Sequence, residues 1–263
     1  MIPELAHFPI NPAYGTGIYR RRLQFVAGAA GVTGQVDDTH HSYWLSLDHD
    51  GTHITGIEAG FNRAPTNMCI GSVAGLQALV GQPLFAPARD FLARLPQPAN
   101  CTHLADLALW AMSHVSASAL WEIRIPDQVD QPIWIDIRRN DKIIHHWQIA
   151  DFHVTAPCRL AGNPLMSGFR KWAAHMFAGD ALLAATMLQR GIFVARGRRH
   201  IVDQGEPTPL ANAAGMVGMC RAYSGEYLSH GVGTLDYVRD FTATVQPEIA
   251  PRHIDQRLKG IES

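Results

Sequence analysis

The alternation of apolar and polar residues along the chain changes period several times, and each change marks an element. "SYWLSLDHDGTHITGIEAGF" alternates on both sides of Asp50-Gly51. That predicts an antiparallel hairpin with a two-residue turn, since both central positions of a type I′ turn need positive φ. Before it, "GIYRRRLQFVAG" reads as a strand. After it, in "RAPTNMCIGSVAGLQALVGQP", apolar Ile70, Val73, Leu76, Leu79 and Val80 recur at three- and four-residue steps. This spacing predicts an amphipathic helix capped by Thr66, with Cys69 in its first turn and Gly81 and Pro83 as its stop. "APARDFLARLPQP" reads as a short helix closed by prolines, and "CTHLADLALWAMSH" as a third helix with Asn100 as N-cap.

The second half opens with "ALWEIRIP", "QPIWIDIRR" and "KIIHHWQIADFHV", rich in Ile, Trp and Val and strand-like, with a turn at Arg139-Asn140-Asp141. "SGFRKWAAHMFAGDALLAATMLQRG" reads as helical from Ser167 to Gly191 with a break near Gly179-Asp180, and "GIFVARGRRHIVDQG" as a further hairpin. Strands and helices come in blocks rather than in strict alternation. The expectation is an α+β fold, with antiparallel sheet and helices packed on one face, as a single compact domain over 1–263. A subdivision near 96–100, at a proline-rich joint, is the alternative.

Composition narrows the partners more than the fold. Of the 263 residues 47% are apolar and 17% charged, and 22 basic against 23 acidic residues leave a net charge of -1. Nothing in that balance draws the chain to nucleic acid or to an anionic membrane. No apolar run approaches the roughly 20 residues needed to span a bilayer, and "MIPELAHFPINPAYG" has no basic stretch followed by an apolar one. The expectation is a soluble, unexported, cytoplasmic protein with a small-molecule substrate, and a homo-oligomer is compatible with it. The four cysteines form no C-x-x-C pair, and the 14 histidines are many for this length.

Those histidines and cysteines sit in clusters. At about 100° per residue, His103, Asp106, Trp110 and His114 fall within roughly 80° of one another on a helix. A carboxylate three residues after a histidine can fix its tautomer, so His103 with Asp106 forms a candidate acid-base pair; the plain alternative is a half-buried helix with a polar edge. Cys69 and Cys101, both in first turns, are placed where unpaired N–H groups favour a thiolate, although isolated cysteines also serve as small core residues. "VDDTHHSYW" adds Asp37, Asp38, His40 and His41. If a strand started at His40, the two histidines would face opposite sides; a turn there would release them. "IIHHWQIADFHV" puts His145 and Trp147 on one strand face, and "RGRRH" reads as a solvated turn. No G-x-G-x-x-G follows a strand, and no P-loop, G-x-S-x-G or H-E-x-x-H is present. Nucleotide-dependent and serine-hydrolase chemistry lose their support.

The ordered set "VDDTHHSYWLSLDHDGTHI", "RAPTNMC", "LVGQPL", "CTHLADLA", "LQRGIFVARGR", "MCRAYS" and "VRDF" resembles a bacterial family catalogued only as a domain of unknown function. The resemblance runs from about Tyr19 to Phe241. It rests on D-D-x-H-H, R-x-P-x-x-x-C and C-T-H-L-x-D-L, here Asp37, Asp38, His40 and His41; Arg63, Pro65 and Cys69; and Cys101, Thr102, His103 and Asp106. Two departures stand out: Cys-Ile-Gly where the family tends to Cys-Pro-Gly, and two residues between Cys220 and Tyr223. No activity comes with the resemblance.

The residues therefore point to a small-molecule enzyme of lyase or isomerase type, working in the catabolism of aromatic compounds without a nucleotide or other cofactor. Catalysis would fall to His103 oriented by Asp106, to His41 and to Cys101. An aromatic or apolar anionic substrate would be held by Arg63 with Trp44, Trp110 and Trp147. One alternative is a zinc or iron site on Cys69, Cys101, His103 and His40, serving a hydrolase or lyase. Another is ligand binding without chemistry.

Overall fold

A computed structural model describes residues 5, 7–95 and 100–243 of the chain. Eight antiparallel strands form one sheet: β1 (Ile18–Ala27), β2 (Gly31–Asp38), β3 (Ser42–His49), β4 (Ile54–Arg63), β5 (Ala119–Pro126), β6 (Ile133–Arg139), β7 (Lys142–Ala150) and β8 (His153–Ala156). Their order, β4-β3-β2-β1-β5-β6-β7-β8, is two four-stranded meanders joined where their first strands pair. Five helices are present among these residues: α1 (Ala88–Arg94), α2 (Thr102–Met112), α3 (Phe169–Met176), α4 (Gly179–Ala195) and α5 (Gly225–His230). α1 and α2 follow the first meander, and α3 and α4 follow the second.

Both long helices lie on one face of the sheet. In β1, Tyr19, Arg21, Leu23 and Phe25 are buried while Arg20, Arg22 and Gln24 are less so, the period-two signature of a sheet packed on one side. The register carries this face across to Trp121, Ile123 and Ile125. Leu107 of α2 packs onto Gly34, where an added Cβ would stand 3.0 Å from the leucine methyl. Gly191 of α4 similarly lies against Ile123 and Ile125. The fold is α+β, as the blocked order of elements predicts.

Several local expectations need correction. β2 is a strand that alternation around the Asp50 hairpin does not reveal. The Asp50 turn occupies four residues, closed by the Asp50 carboxylate, which accepts from the backbone N–H groups of Thr52 (2.8 Å) and His53 (2.7 Å). Tight two-residue turns occur instead at Asn140-Asp141 and Asp151-Phe152, all four residues having positive φ. The segment after Thr66 is a 3-10 helix, Ile70–Leu79, whose Ile70 is exposed, so no continuous apolar face forms. Cys101, not Asn100, is the N-cap of α2. The helix break falls between α3 and α4 as expected, but the expected hairpin after Gly191 is the end of α4 and a 3-10 turn. Arg198 of "RGRRH" is buried and paired with Asp127, not solvated. Of the candidate boundary near 96–100, residues 96–99 lie outside the described residues. No helix among the described residues is long and apolar enough to cross a membrane.

Candidate functional site

The chain between β2 and β3 is only three residues long, and it makes the site. Arg21 on β1 faces Asp38, which ends β2, across the β1–β2 register. Both side chains are fully buried, and Asp38 Oδ2 accepts from Arg21 Nε at 2.7 Å and from the Tyr19 hydroxyl at 3.0 Å. Its other oxygen, Oδ1, accepts from the backbone N–H of His40 (2.7 Å) and of His41 (2.9 Å) and from His41 Nδ1 (3.2 Å). Burial alone would raise this carboxyl, but Arg21 and His41 hold it well below its usual range. An ionised carboxylate accepts only, so His41 Nδ1 carries the proton and Nε2 is the basic nitrogen.

Arg63, at the end of β4, holds the same turn from outside. Its guanidinium donates to Asp37 (2.5 Å) and to the carbonyls of Asp38 (2.6 Å), Thr39 (3.1 Å), His41 (3.2 Å) and Tyr237 (2.7 Å). The expected anion-binding role is thus corrected: both terminal nitrogens are spent on the protein's own backbone and on Asp37, and Arg63 does not line the cavity.

His40 and His41 both reach one cavity, because the turn at 39–41 frees them from strand alternation. This cavity, of about 200 Å³, lies where that turn, the start of α2, the end of α4 and the segment from Thr208 to Tyr237 meet. His103 lines it with its ring centroid 4.3 Å from that of His41. Burial, then His41 and Arg190, depress the His103 pKa well below normal, and burial takes His40 down to about 3. Both imidazoles are neutral at physiological pH, and each leaves a buried Nε2 without a partner.

The helix stripe that carries His103 divides between different environments. Asp106 does not orient His103: its carboxylate takes Arg190 Nε at 2.5 Å. Trp110 is buried against a second cavity. His114 accepts from Trp121 Nε1 (2.9 Å), bonds the Trp110 carbonyl through Nδ1 (2.7 Å) and stacks on Phe25. The other two expected tryptophans also miss the site. Trp147 is in the core with Trp172 and Phe177, and Trp44 lies on the opposite face of β3, against Gly60. The apolar walls are instead Phe61, Phe193, Leu210, Met216 and Met219.

Cys69 and Cys101 line the cavity from the N-cap positions of the 3-10 helix and of α2, one step before the first turns expected, and Cys220 and Tyr223 join them. Their thiols are not thiolates, however. Burial pushes Cys69 up to about 11 and Cys101 up to about 12, outweighing any effect of a helix start. Of the alternative metal set, Cys69, Cys101, His103 and His40 all border the cavity. Among the described residues, no three His, Cys, Asp or Glu side chains are arranged to hold one ion.

Residues 26–117 match the family described as a protein of unknown function, DUF2889. The DUF2889 match runs from the end of β1 through α2 and so includes Asp38, His40, His41, Cys69, Cys101 and His103. Arg190, Cys220 and Tyr237, which complete the cavity, lie beyond it. No curated protein and no solved structure matches the chain.

Sequence reasoning missed Asp38 as the partner of His41, along with Arg21, Arg190 and Tyr237. Asp38 was visible in D-D-x-H-H; only the turn that folds its carboxylate back three residues was not.

Proposed function

We propose that the protein is a small-molecule enzyme of lyase or isomerase type, in which His41 moves a proton on or off carbon in a small apolar substrate. The observation that carries this is the Asp38–His41 pair at the cavity wall. A carboxylate fixes Nδ1–H, Arg21 fixes the carboxylate, and Nε2 remains as a base in a largely apolar chamber. Neutral His103 beside it can stabilise charge that develops on the substrate or return the proton. Since ~150 Å³ of apolar cavity accommodates benzene, a chamber of about 200 Å³ suits the reacting end of a substrate the size of one ring.

As an isomerase it only moves a proton between imidazole and two carbon positions; as a lyase the electron pair left by that proton forms a double bond and expels a leaving group from the neighbouring carbon, and neither step draws on a cofactor. The same reading places the protein in the cytoplasm, in the breakdown of aromatic or other apolar acids; its four unpaired thiols support a reducing compartment.

The test is proton exchange. Incubating the protein in D2O with a panel of aryl and alkyl keto acids and unsaturated acids should replace C–H signals in the NMR spectrum of at least one. His41→Gln should abolish that exchange while the circular dichroism spectrum is kept. Exchange that persists in His41→Gln refutes the role.

A further inference from the structure

A second cavity, of about 790 Å³, opens between α1, α2, α3 and α4. Leu92, Leu109, Trp110, Phe169, Leu182 and Leu183 give it mainly apolar walls, and its charged groups are Asp106, Arg170 and Arg190. Its volume falls among those that take ligands of drug size, roughly 300–1,000 Å³, whereas the His41 chamber holds little more than a ring. Arg190 borders both cavities.

Arg190 is also incompletely used. Among the described residues its one hydrogen bond runs from Nε to Asp106 at 2.5 Å, which leaves the two terminal nitrogens for another acceptor. The pair is only partly buried, at 18% and 14% side-chain exposure, so a ligand in the cavity can reach it. A planar guanidinium with free terminal nitrogens suits a carboxylate, which it binds through two parallel N–H bonds.

We infer that the second cavity binds the apolar body of an amphipathic carboxylic acid, and that Arg190 receives its carboxylate at the partition between the two cavities. Asp106 keeps Nε and aims the guanidinium, while its negative charge opposes the incoming carboxylate. This deepens the reading above by naming the substrate class, and it rests on that reading for the chemistry while the binding stands on its own. It also transfers anion recognition from Arg63, whose terminal nitrogens are filled, to Arg190.

Equilibrium dialysis of the full chain with decanoate and with decanol tests it. Decanoate should bind at one per chain, at least tenfold more tightly than the neutral alcohol. Arg190→Gln should weaken decanoate at least tenfold and leave decanol unchanged, and Leu183→Trp should weaken both by filling the cavity. Asp106→Asn should strengthen decanoate binding severalfold, because the negative charge opposing the carboxylate beside Arg190 is gone; an acid bound away from Arg190 would show no such gain. If Arg190→Gln disturbs the fold, the Arg190→Gln/Asp106→Asn double variant removes both charges together and should show the same loss. His41→Gln should bind decanoate like the native protein, so failed chemistry and failed binding are told apart. Equal affinity for acid and alcohol, no binding of either, or no gain in Asp106→Asn overturns the proposal.

Discussion

Asp38 and His41 are three residues apart in sequence and 3.2 Å apart in space, carboxylate oxygen to Nδ1, with the same oxygen also accepting the backbone N–H groups of His40 and His41. One side chain thereby closes the β2–β3 turn and orients an imidazole. Arg21 on the neighbouring strand keeps that carboxylate ionised although it is fully buried. Turn geometry and base geometry therefore share one carboxylate, and a change at Asp38 disturbs both.

His41→Gln removes the base but not the turn, whose backbone bonds to Asp38 remain. Turnover should fall by about 10²–10⁴-fold with the unfolding midpoint in urea nearly unchanged. Asp38→Asn instead leaves Arg21 buried without its counter-charge. It should cost about 3–5 kcal/mol of stability, read from urea unfolding.

The pH dependence of stability should run downhill below neutrality, the buried histidines together outweighing Asp37, whose carboxyl burial raises to about 7 and which works in the opposite sense. His40, with its pKa near 3, and His103, well below normal, are held neutral by burial, while in the unfolded chain each titrates near 6.5. Their folded pKa values are depressed, so the unfolded state binds more protons as pH falls. The stability they contribute is complete above the unfolded pKa and is lost progressively below about pH 6.5, by up to about 1.4 kcal/mol per pH unit for each histidine. Urea unfolding at pH 7, 6 and 5 should show the decline, and His40→Gln should make it shallower. A profile equally steep in that variant removes His40 from the account.

Gly197 packs against His40 so closely that an added Cβ would meet Nε2 at 2.6 Å. Gly197→Ala should push the His40 ring aside and destabilise the protein by about 1–3 kcal/mol, the usual range for overpacking. Gly51, where nothing lies within 4 Å, is the control for space, although its positive φ carries its own strain.

Thiol reactivity should separate the four cysteines. Cys158 is exposed, whereas burial raises the pKa of Cys69, Cys101 and Cys220. With a disulfide reagent at pH 8, one thiol per native chain should react quickly, and Cys158→Ser should remove that fast phase. A fast phase that survives in Cys158→Ser but disappears in Cys101→Ser would restore Cys101 as a reactive thiolate.

The elements most legible in sequence are those whose own residues carry the signal. β5 through β7, α1 and the broken pair α3 and α4 follow from β-branched runs, prolines and Gly179, whose positive φ marks the start of α4. The two-residue turn at Asn140-Asp141 is likewise local chemistry, since these residue types tolerate positive φ. β2 escaped because its buried face consists of Val32, Gly34, Val36 and Asp38, a glycine and a carboxylate where the pattern expects apolar side chains. Gly34 is there to admit Leu107, and Asp38 to meet Arg21, both of them partners distant in the chain.

The sequence by itself determined the fold class, the clustering of chemistry-bearing residues in three short motifs, and the helix that bears His103. It could do so because periodicity, turn residues and motif spacing are local quantities. Only the tertiary structure decided which partner each residue has. His103 and Asp106 share a helix face, yet one stands against His41 and the other against Arg190, 84 positions later. Arg63 was free to be an anion site until the turn at 37–41 filled its donors, and Cys101 a thiolate until burial outweighed its place at the helix start. Pairing energies and desolvation depend on what the folded chain brings within a few ångströms, and one strand or helix does not contain that information.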